Sequence, residues 1–209
     1  MQTIPLTTLM SRFRTAFRNI RGAVDLLSRL DAATGDGDHG VTMVRIADKA
    51  EAAIDAKGTA DPAALFKAMG MGAMSAGGGS AGPLMGQFFM GLANGVPADP
   101  DAMTAADVAK LLEAGYLGMF KFSKAGVGDR TMMDALKPAI DALLANTGTD
   151  IDTMLAKASE AATAGAAATE NMLAKFGRAR NLGERVLGHA DPGATSWSLI
   201  FQGLSEHVA

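Results

Sequence analysis

Cysteine is absent from this sequence of 209 residues, and aromatic side chains make up only 5% of it. Without cysteine the chain forms no disulfide and offers no thiolate for catalysis or metal binding. The shortage of aromatic residues, together with many glycines and methionines, argues against a β-sandwich and favours closely packed helices. We therefore expect an all-α protein without thiol chemistry.

Long apolar runs and a strong net charge are also missing. No apolar stretch approaches the ~20 residues that a membrane-spanning helix needs, and the start of the chain lacks the features of a signal peptide. The formal net charge is −3, which disfavours non-specific binding to nucleic acid. We expect a cytoplasmic protein that binds neither membranes nor nucleic acid.

Apolar residues recur at steps of three or four along most of the chain, which is the pattern of amphipathic helices. The first run extends without interruption from Leu6 to Leu30. Strand-like alternation is not found, and the loops are short, so sequential helices should be antiparallel neighbours. We predict one all-α domain over residues 1–209, an antiparallel barrel or bundle of about eight helices.

Capping signals mark several of the predicted helix starts. Two of these signals are Asp-Pro pairs, at Asp61-Pro62 and Asp191-Pro192. The others are a capping box formed by Thr104 with Asp107, and a single aspartate, Asp150 or Asp152. We also expect a helix to begin at Pro83, and the alanine-rich helix that follows Asp150 or Asp152 to end near Phe176.

Three carboxylates and three glycines lie within residues 31–40, which read DAATGDGDHG. Carboxylates this close together need a counter-charge, and a hard divalent cation with oxygen ligands supplies it. Asp31 follows Leu27 by four residues, so it extends the apolar face of a helix, where an unpaired carboxylate is costly. A solvated turn capped by Asp36 is the structural alternative. An EF-hand is excluded because its twelfth position is Ala47 rather than glutamate.

Glycine-rich turns precede two further predicted helices, and arginines follow the alanine-rich predicted helix. Backbone N–H groups at Gly77–Gly82 suit an anion, although a plain helix–helix turn explains the same glycines. Arg178 suits bidentate binding of a phosphate or is a solvated surface residue. A Walker P-loop motif is absent. Carboxylates for cations, a glycine turn and an arginine are the parts that phosphoryl transfer requires.

Four ordered motifs give the chain a close resemblance to the nucleotide-binding L subunit, or L domain, of dihydroxyacetone kinases. In this sequence they read Asp31 with Gly35-Asp36-Gly37-Asp38-His39-Gly40, Gly78-Gly79 with Gly82-Pro83-Leu84, Gly128-Asp129-Arg130-Thr131-Met132-Met133-Asp134, and Gly177-Arg178-Ala179 through Asp191-Pro192-Gly193-Ala194-Thr195-Ser196. The chain departs from the family pattern at Thr42, the Ser80-Ala81 pair, Ser123 and Arg130.

The resemblance implies a fold, a cofactor set and a site. It implies an eight-helix antiparallel barrel with ADP or ATP at one end, and two Mg²⁺ ions held by Asp31, Asp36 and Asp38. The nucleotide contacts that it implies are His39, Gly40, Val41, Thr42, Gly79, Ser80, Ala81, Ser123, Met132, Arg178, Asp191, Pro192 and Gly193.

The resemblance also implies a phosphotransferase that needs a partner, since the family holds its ketose on a separate K subunit or domain. Bound ADP would be rephosphorylated by a protein of the phosphoenolpyruvate-dependent phosphotransferase system, which the chain length favours, or ATP would exchange freely. A nucleotide-state sensor that binds a transcription regulator and a metal-dependent phosphohydrolase are the alternatives. The identity of the ketose and the formation of a homodimer stay open.

Overall fold

The computed structural model describes residues 2–206, and nine α-helices account for most of them. Their bounds are α1 Leu6–Gly22, α2 Val24–Thr34, α3 His39–Lys57, α4 Pro62–Met74, α5 Ala81–Leu92, α6 Ala105–Ser123, α7 Met133–Ala145, α8 Ile151–Ala168 and α9 Pro192–Ser205. Extended pairing within residues 2–206 is limited to one isolated bridge between Ile4 and Met103. The predicted all-α class is confirmed. In this part of the chain no helix combines the length and the apolar character that a membrane crossing requires.

The helices form a closed ring. Each helix from α3 to α8 packs against the next one along the chain. The ring is closed by α1, which packs against both α3 and α9. α2 directly follows α1 and also packs on α3 and α9. Short loops join α2 to α3, α4 to α5 and α6 to α7, so the end of the first helix in each pair meets the start of the second. The connection from α8 to α9 is longer, and the hydrogen bond from the N–H of Asp191 to Thr169 brings the start of α9 to the end of α8. This end of the ring carries the candidate site.

The interior of the ring is filled by aromatic and aliphatic side chains. Trp197 of α9 lies edge-on to Phe88 of α5, with 4.6 Å between ring centroids, and Phe89 lies edge-on to Phe13 of α1. The ring closes where Gly203 approaches α1, since a Cβ at position 203 would lie 2.3 Å from Cα of Ala16. The apolar burial in this core is the main source of stability for the fold.

Three helix boundaries differ from the prediction. The run from Leu6 to Leu30 is divided at Ala23, whose backbone leaves helical values while the apolar period continues across the break, so the eight predicted helices correspond to nine. α5 begins at Ala81 rather than Pro83, because proline is tolerated within a first turn whose N–H groups lack helical partners. α8 ends at Ala168 rather than near Phe176.

Candidate functional site

A cavity of about 630 Å³ opens at the end of the ring where α3, α5, α7 and α9 begin. Fourteen of the sixteen predicted site residues line it, namely Asp31, Asp36, Asp38, His39, Thr42, Gly79, Ser80, Ala81, Ser123, Met132, Arg178, Asp191, Pro192 and Gly193. The turns that join the helices therefore bring distant motifs to one site. This convergence follows from the antiparallel order of the ring.

Gly40 and Val41 do not line this cavity. A Cβ at Gly40 would lie 2.2 Å from the carbonyl oxygen of Val24, so glycine at position 40 allows α3 to pack closely against α2. The Val41 side chain is 44% exposed. In this structure these two residues act in helix packing and at the surface.

The acidic triad, which we define as Asp31, Asp36 and Asp38, converges at the end of α2 and the start of α3. One carboxylate oxygen from each residue lies within 4.8 Å of the other two. Asp31 is half-buried and accepts a hydrogen bond from the backbone N–H of His39 at 3.2 Å, whereas Asp36 and Asp38 are exposed. Three hard oxygen donors with an open face toward the cavity suit Mg²⁺, so the residues present fit the ion.

Gly35 makes this convergence possible. A Cβ at position 35 would lie 2.4 Å from Oδ1 of Asp31, a distance that two non-bonded atoms do not share. The absence of a side chain therefore lets the turn fold back over the Asp31 carboxylate. The glycine-rich character of the motif has a steric cause here.

Arg178 forms an ion pair with Asp36 across the cavity. It belongs to the cover segment, which we define as residues 172–190, a largely exposed stretch between α8 and α9 in which only Val186 is buried. The guanidinium supplies part of the counter-charge that the acidic triad needs. It also carries the fork of N–H donors that matches a phosphate.

The glycine turn, which we define as Gly77–Gly79, joins α4 to α5 beside the acidic triad. All three of its residues have positive φ, a conformation that favours glycine. A Cβ at Gly78 would lie 2.0 Å from Oγ1 of Thr42, so the turn lies directly on α3. Oγ1 of Thr42 is buried and has no hydrogen-bond partner within residues 2–206. Backbone N–H groups at the start of α5 suit an anion.

His39 links the start of α3 to α9. Its Nε2 lies 2.8 Å from Oγ of Ser196, and that hydroxyl donates to the carbonyl oxygen of Pro192 at 3.0 Å. Burial lowers the pKa of His39, against an opposing effect of the Asp31 carboxylate. The imidazole is therefore a neutral positioning group near pH 7.

The opposite wall of the cavity contains residues whose burial the sequence did not indicate. Arg130, in the turn before α7, lines the cavity and is 1% exposed, and Asp134, in the first turn of α7, is also 1% exposed. Asp134 accepts hydrogen bonds from the backbone N–H groups of Gly128 at 2.6 Å and Thr131 at 2.7 Å. The Gly128-Asp129-Arg130-Thr131 motif is part of the family resemblance, but nothing in its local sequence indicates that Arg130 and Asp134 are buried.

Asp191 completes this wall by capping α9. It accepts a hydrogen bond from the backbone N–H of Ala194 at 2.8 Å, and its own N–H donates to Oγ1 of Thr169 at 2.8 Å. Burial raises the pKa of the Asp191 carboxyl to about 6, although the cap and the Arg130 charge act in the other direction.

Comparison with known proteins agrees with this geometry. Residues 33–206 match the DAK2 domain. The chain is 38% identical over 181 residues to the ADP-binding subunit DhaL of PEP-dependent dihydroxyacetone kinase 1 from Listeria innocua, covering 86% of this chain and 85% of that protein. It is 35% identical over 183 residues to the corresponding subunit from Escherichia coli, covering 87% of each.

A solved structure is also similar. The dihydroxyacetone kinase from C. freundii in complex with AMP-PNP and Mg²⁺ superposes with a TM-score of 0.73 at 28% identity, covering 98% of this chain. The chain spans about a third of that protein, 34% of its length. With the domain match and two relatives at least 35% identical over most of their length, this chain belongs to the DAK2 domain family.

Proposed function

We propose that this chain binds a Mg²⁺–adenine nucleotide in the cavity and acts as the ADP-binding subunit of a PEP-dependent dihydroxyacetone kinase. One observation carries the proposal: the acidic triad and the glycine turn line the same cavity. The relatives named as ADP-binding DhaL subunits support the choice of nucleotide and of reaction.

Each part of the site has a role in this proposal. Asp31, Asp36 and Asp38 would hold Mg²⁺, which when bound neutralises charge on the transferring phosphates. The start of α5 offers backbone N–H groups to the phosphates. Arg178 exchanges its ion pair with Asp36 for a phosphate oxygen. We also propose that two Mg²⁺ ions bind here and that the remaining predicted cavity residues contact the nucleotide.

The ketose is proposed to reach the phosphates on a partner subunit. In-line phosphoryl transfer requires both reactants to be held in one geometry, and the cavity opens to solvent at the end that carries the acidic triad. Exposed apolar side chains surround this end, with Phe122 56%, Val127 57% and Phe176 40% exposed. Apolar surface of this kind is typical of protein contacts. We propose a ketose-binding K subunit as the partner, in the cytoplasm.

The phosphate donor separates two versions of the proposal. In the first, ADP stays bound and is rephosphorylated by a phosphotransferase-system protein; in the second, ATP exchanges freely. The second version has one specific observation in its favour, which is that the similar C. freundii protein binds AMP-PNP, an ATP analogue.

Reconstitution tests the proposal. The purified chain is analysed for bound nucleotide before and after dialysis, and its mass in solution decides whether it is a homodimer. It is then combined with a ketose-binding subunit, dihydroxyacetone, and either Mg-ATP or phosphoenolpyruvate with phosphotransferase-system proteins. Retained ADP and activity only with phosphoenolpyruvate support the first version. The absence of ketose phosphate with both donors contradicts the proposal.

A further inference from the structure

Arg130 is a fully buried cation in the cavity wall. Its Nη2 donates to the carbonyl oxygens of His189 at 2.7 Å and Val186 at 3.4 Å. Its Nε and Nη1 are buried without a hydrogen-bond partner among residues 2–206. The backbone at Arg130 has φ 56°, a left-handed conformation that is unfavourable for a side chain of this size. Such an arrangement persists only where the surrounding structure enforces it.

Two carboxylates explain why the cation is tolerated. Burial lowers the pKa of the Arg130 guanidinium, while Asp191 and Asp134 act to raise it. Asp134 closes the turn that carries Arg130, and Asp191 caps α9. The cation therefore lies between the starts of α7 and α9, and without it the carboxylates of Asp134 and Asp191 would repel each other.

The contacts of Arg130 fix the last part of the cover segment. His189 precedes Asp191 by two residues, so its bound carbonyl holds the chain that leads directly into Asp191, Pro192 and Gly193. This wall is tightly packed, because a Cβ at Gly193 would lie 3.2 Å from Cβ of Met132. A displacement at His189 would alter the space between two residues that line the cavity.

The wall held by Arg130 and the acidic triad come from different helix ends. α7 packs mainly on α6, α8 and α9, whereas the acidic triad and the glycine turn belong to α2–α5. The segment before α7 and the start of α9 line the cavity with Ala125, Met132 and Pro192, which suit the flat face of a heterocycle. The carboxylates of Asp134 and Asp191 disfavour a phosphate at this end. A nucleotide with its phosphates at the acidic triad would therefore place its base here.

We propose that Arg130 is a positioning residue for the nucleobase: by holding the His189 carbonyl between Asp134 and Asp191, it fixes the wall against which the base binds. This inference rests on the proposed function, because it assumes a nucleotide in the cavity. It assigns Arg130 no contact with the phosphates.

Arg12 offers a matched control at the opposite end of α9. It is 3% exposed, its Nη1 donates to the carbonyl oxygens of Leu204 at 2.9 Å and Glu206 at 3.3 Å, and it pairs with Asp152. Its Nε is also without a partner in the described part of the chain. Arg12 thus holds the end of α9 with the chemistry by which Arg130 holds the segment leading into α9, but Arg12 does not line the cavity.

The experiment compares Arg130→Met, Arg130→Lys and Arg12→Met with the wild type by calorimetry, using Mg-ADP and Mg-pyrophosphate. Arg130→Met should weaken Mg-ADP binding by about tenfold or more, the scale of one lost buried polar contact, while Mg-pyrophosphate binding changes by less than about twofold. Arg130→Lys should keep part of the affinity because a positive charge remains between Asp134 and Asp191, although lysine cannot reproduce the fork of the guanidinium. Arg12→Met should lower the melting temperature without changing either affinity.

Hydrogen exchange on the wild type provides a second measurement that does not depend on a variant folding. Mg-ADP should slow amide exchange over residues 186–194, and Mg-pyrophosphate should not. Wild-type Mg-ADP affinity in Arg130→Met, equal losses for ADP and pyrophosphate, or equal ADP losses in Arg130→Met and Arg12→Met would each overturn the inference. A wild type that does not bind Mg-ADP would instead contradict the proposed function.

Discussion

Replacing Asp191 with asparagine should stabilise the ligand-free protein near neutral pH. Burial raises the pKa of Asp191 from 3.8 to about 6, so the native state binds a proton more tightly than the unfolded chain does. An acid with this shift loses stability as the pH rises from its unfolded to its folded pKa, and the loss is complete above the folded value. For Asp191 that window lies between about pH 4 and pH 6.

The size of the effect follows from the shift. A change from 3.8 to about 6 corresponds to about 3 kcal/mol at most. Asparagine keeps an acceptor oxygen for the N–H of Ala194 and is about as good an N-cap as aspartate. It has no charge to desolvate, and the pKa of about 6 already includes the attraction to Arg130. We therefore expect Asp191→Asn to gain about 2 kcal/mol above pH 6, which is a rise in Tm of about 4–8 °C.

Urea unfolding without Mg²⁺ or nucleotide, at several pH values from about 4.5 to 7.5, measures this gain. The difference between variant and wild type removes the contribution of the other titrating groups. Asp150→Asn is the control, because Asp150 caps α8 through Thr153 in solvent and those hydrogen bonds lower its pKa. Because the pKa of Asp150 lies below 3.8, the effect of Asp150→Asn should stay constant across this pH range. An Asp191→Asn gain that does not depend on pH, or a loss at neutral pH, would refute the reasoning.

Three further predictions concern the site. Asp36→Asn and Asp38→Asn should each abolish Mg²⁺-dependent ADP binding in calorimetry while the apo melting temperature stays near wild type, because both side chains are exposed; unchanged affinity would remove the metal site. Gly78→Ala should lower the melting temperature and the ADP affinity more than Gly77→Ala. Both residues have positive φ, but only a Cβ at 78 would lie 2.0 Å from Oγ1 of Thr42, and nothing lies within 4 Å of one at 77; equal effects would contradict this cause. The chain alone, with Mg-ATP and dihydroxyacetone, should form no ketose phosphate in a product assay, because no second reactant is held in line; robust product would contradict the need for a partner.

Helix starts were predictable wherever a capping side chain precedes them. Asp61 accepts from the N–H of Ala64 at 2.9 Å, and Thr104 with Asp107 forms the full capping box. These contacts span three residues, so the local sequence determines them. The end of α8 was not predictable, because Thr169 meets Asp191 at a separation of 22 residues. No local pattern distinguishes that alanine-rich stretch from a longer helix.

The same contrast holds in the site. The acidic triad was predictable because its three residues lie within eight positions, from the last turn of α2 to the residue before α3, so short spacing brings the carboxylates together. The burial of Arg130 was not, because the carbonyls that hold it come from residues 56 and 59 positions further along the chain. Gly40 belongs to one of the motifs on which the family resemblance rests. Its close contact with Val24, however, depends on how α2 crosses α3.

Binding of ADP to the purified chain in the presence and absence of Mg²⁺, measured by isothermal titration calorimetry after removal of any bound nucleotide, tests the central claim most directly. The account predicts binding of one ADP per chain that requires Mg²⁺ and is lost in excess EDTA, because the acidic triad holds the nucleotide through the cation. No binding, or equal affinity in Mg²⁺ and in EDTA, would contradict it.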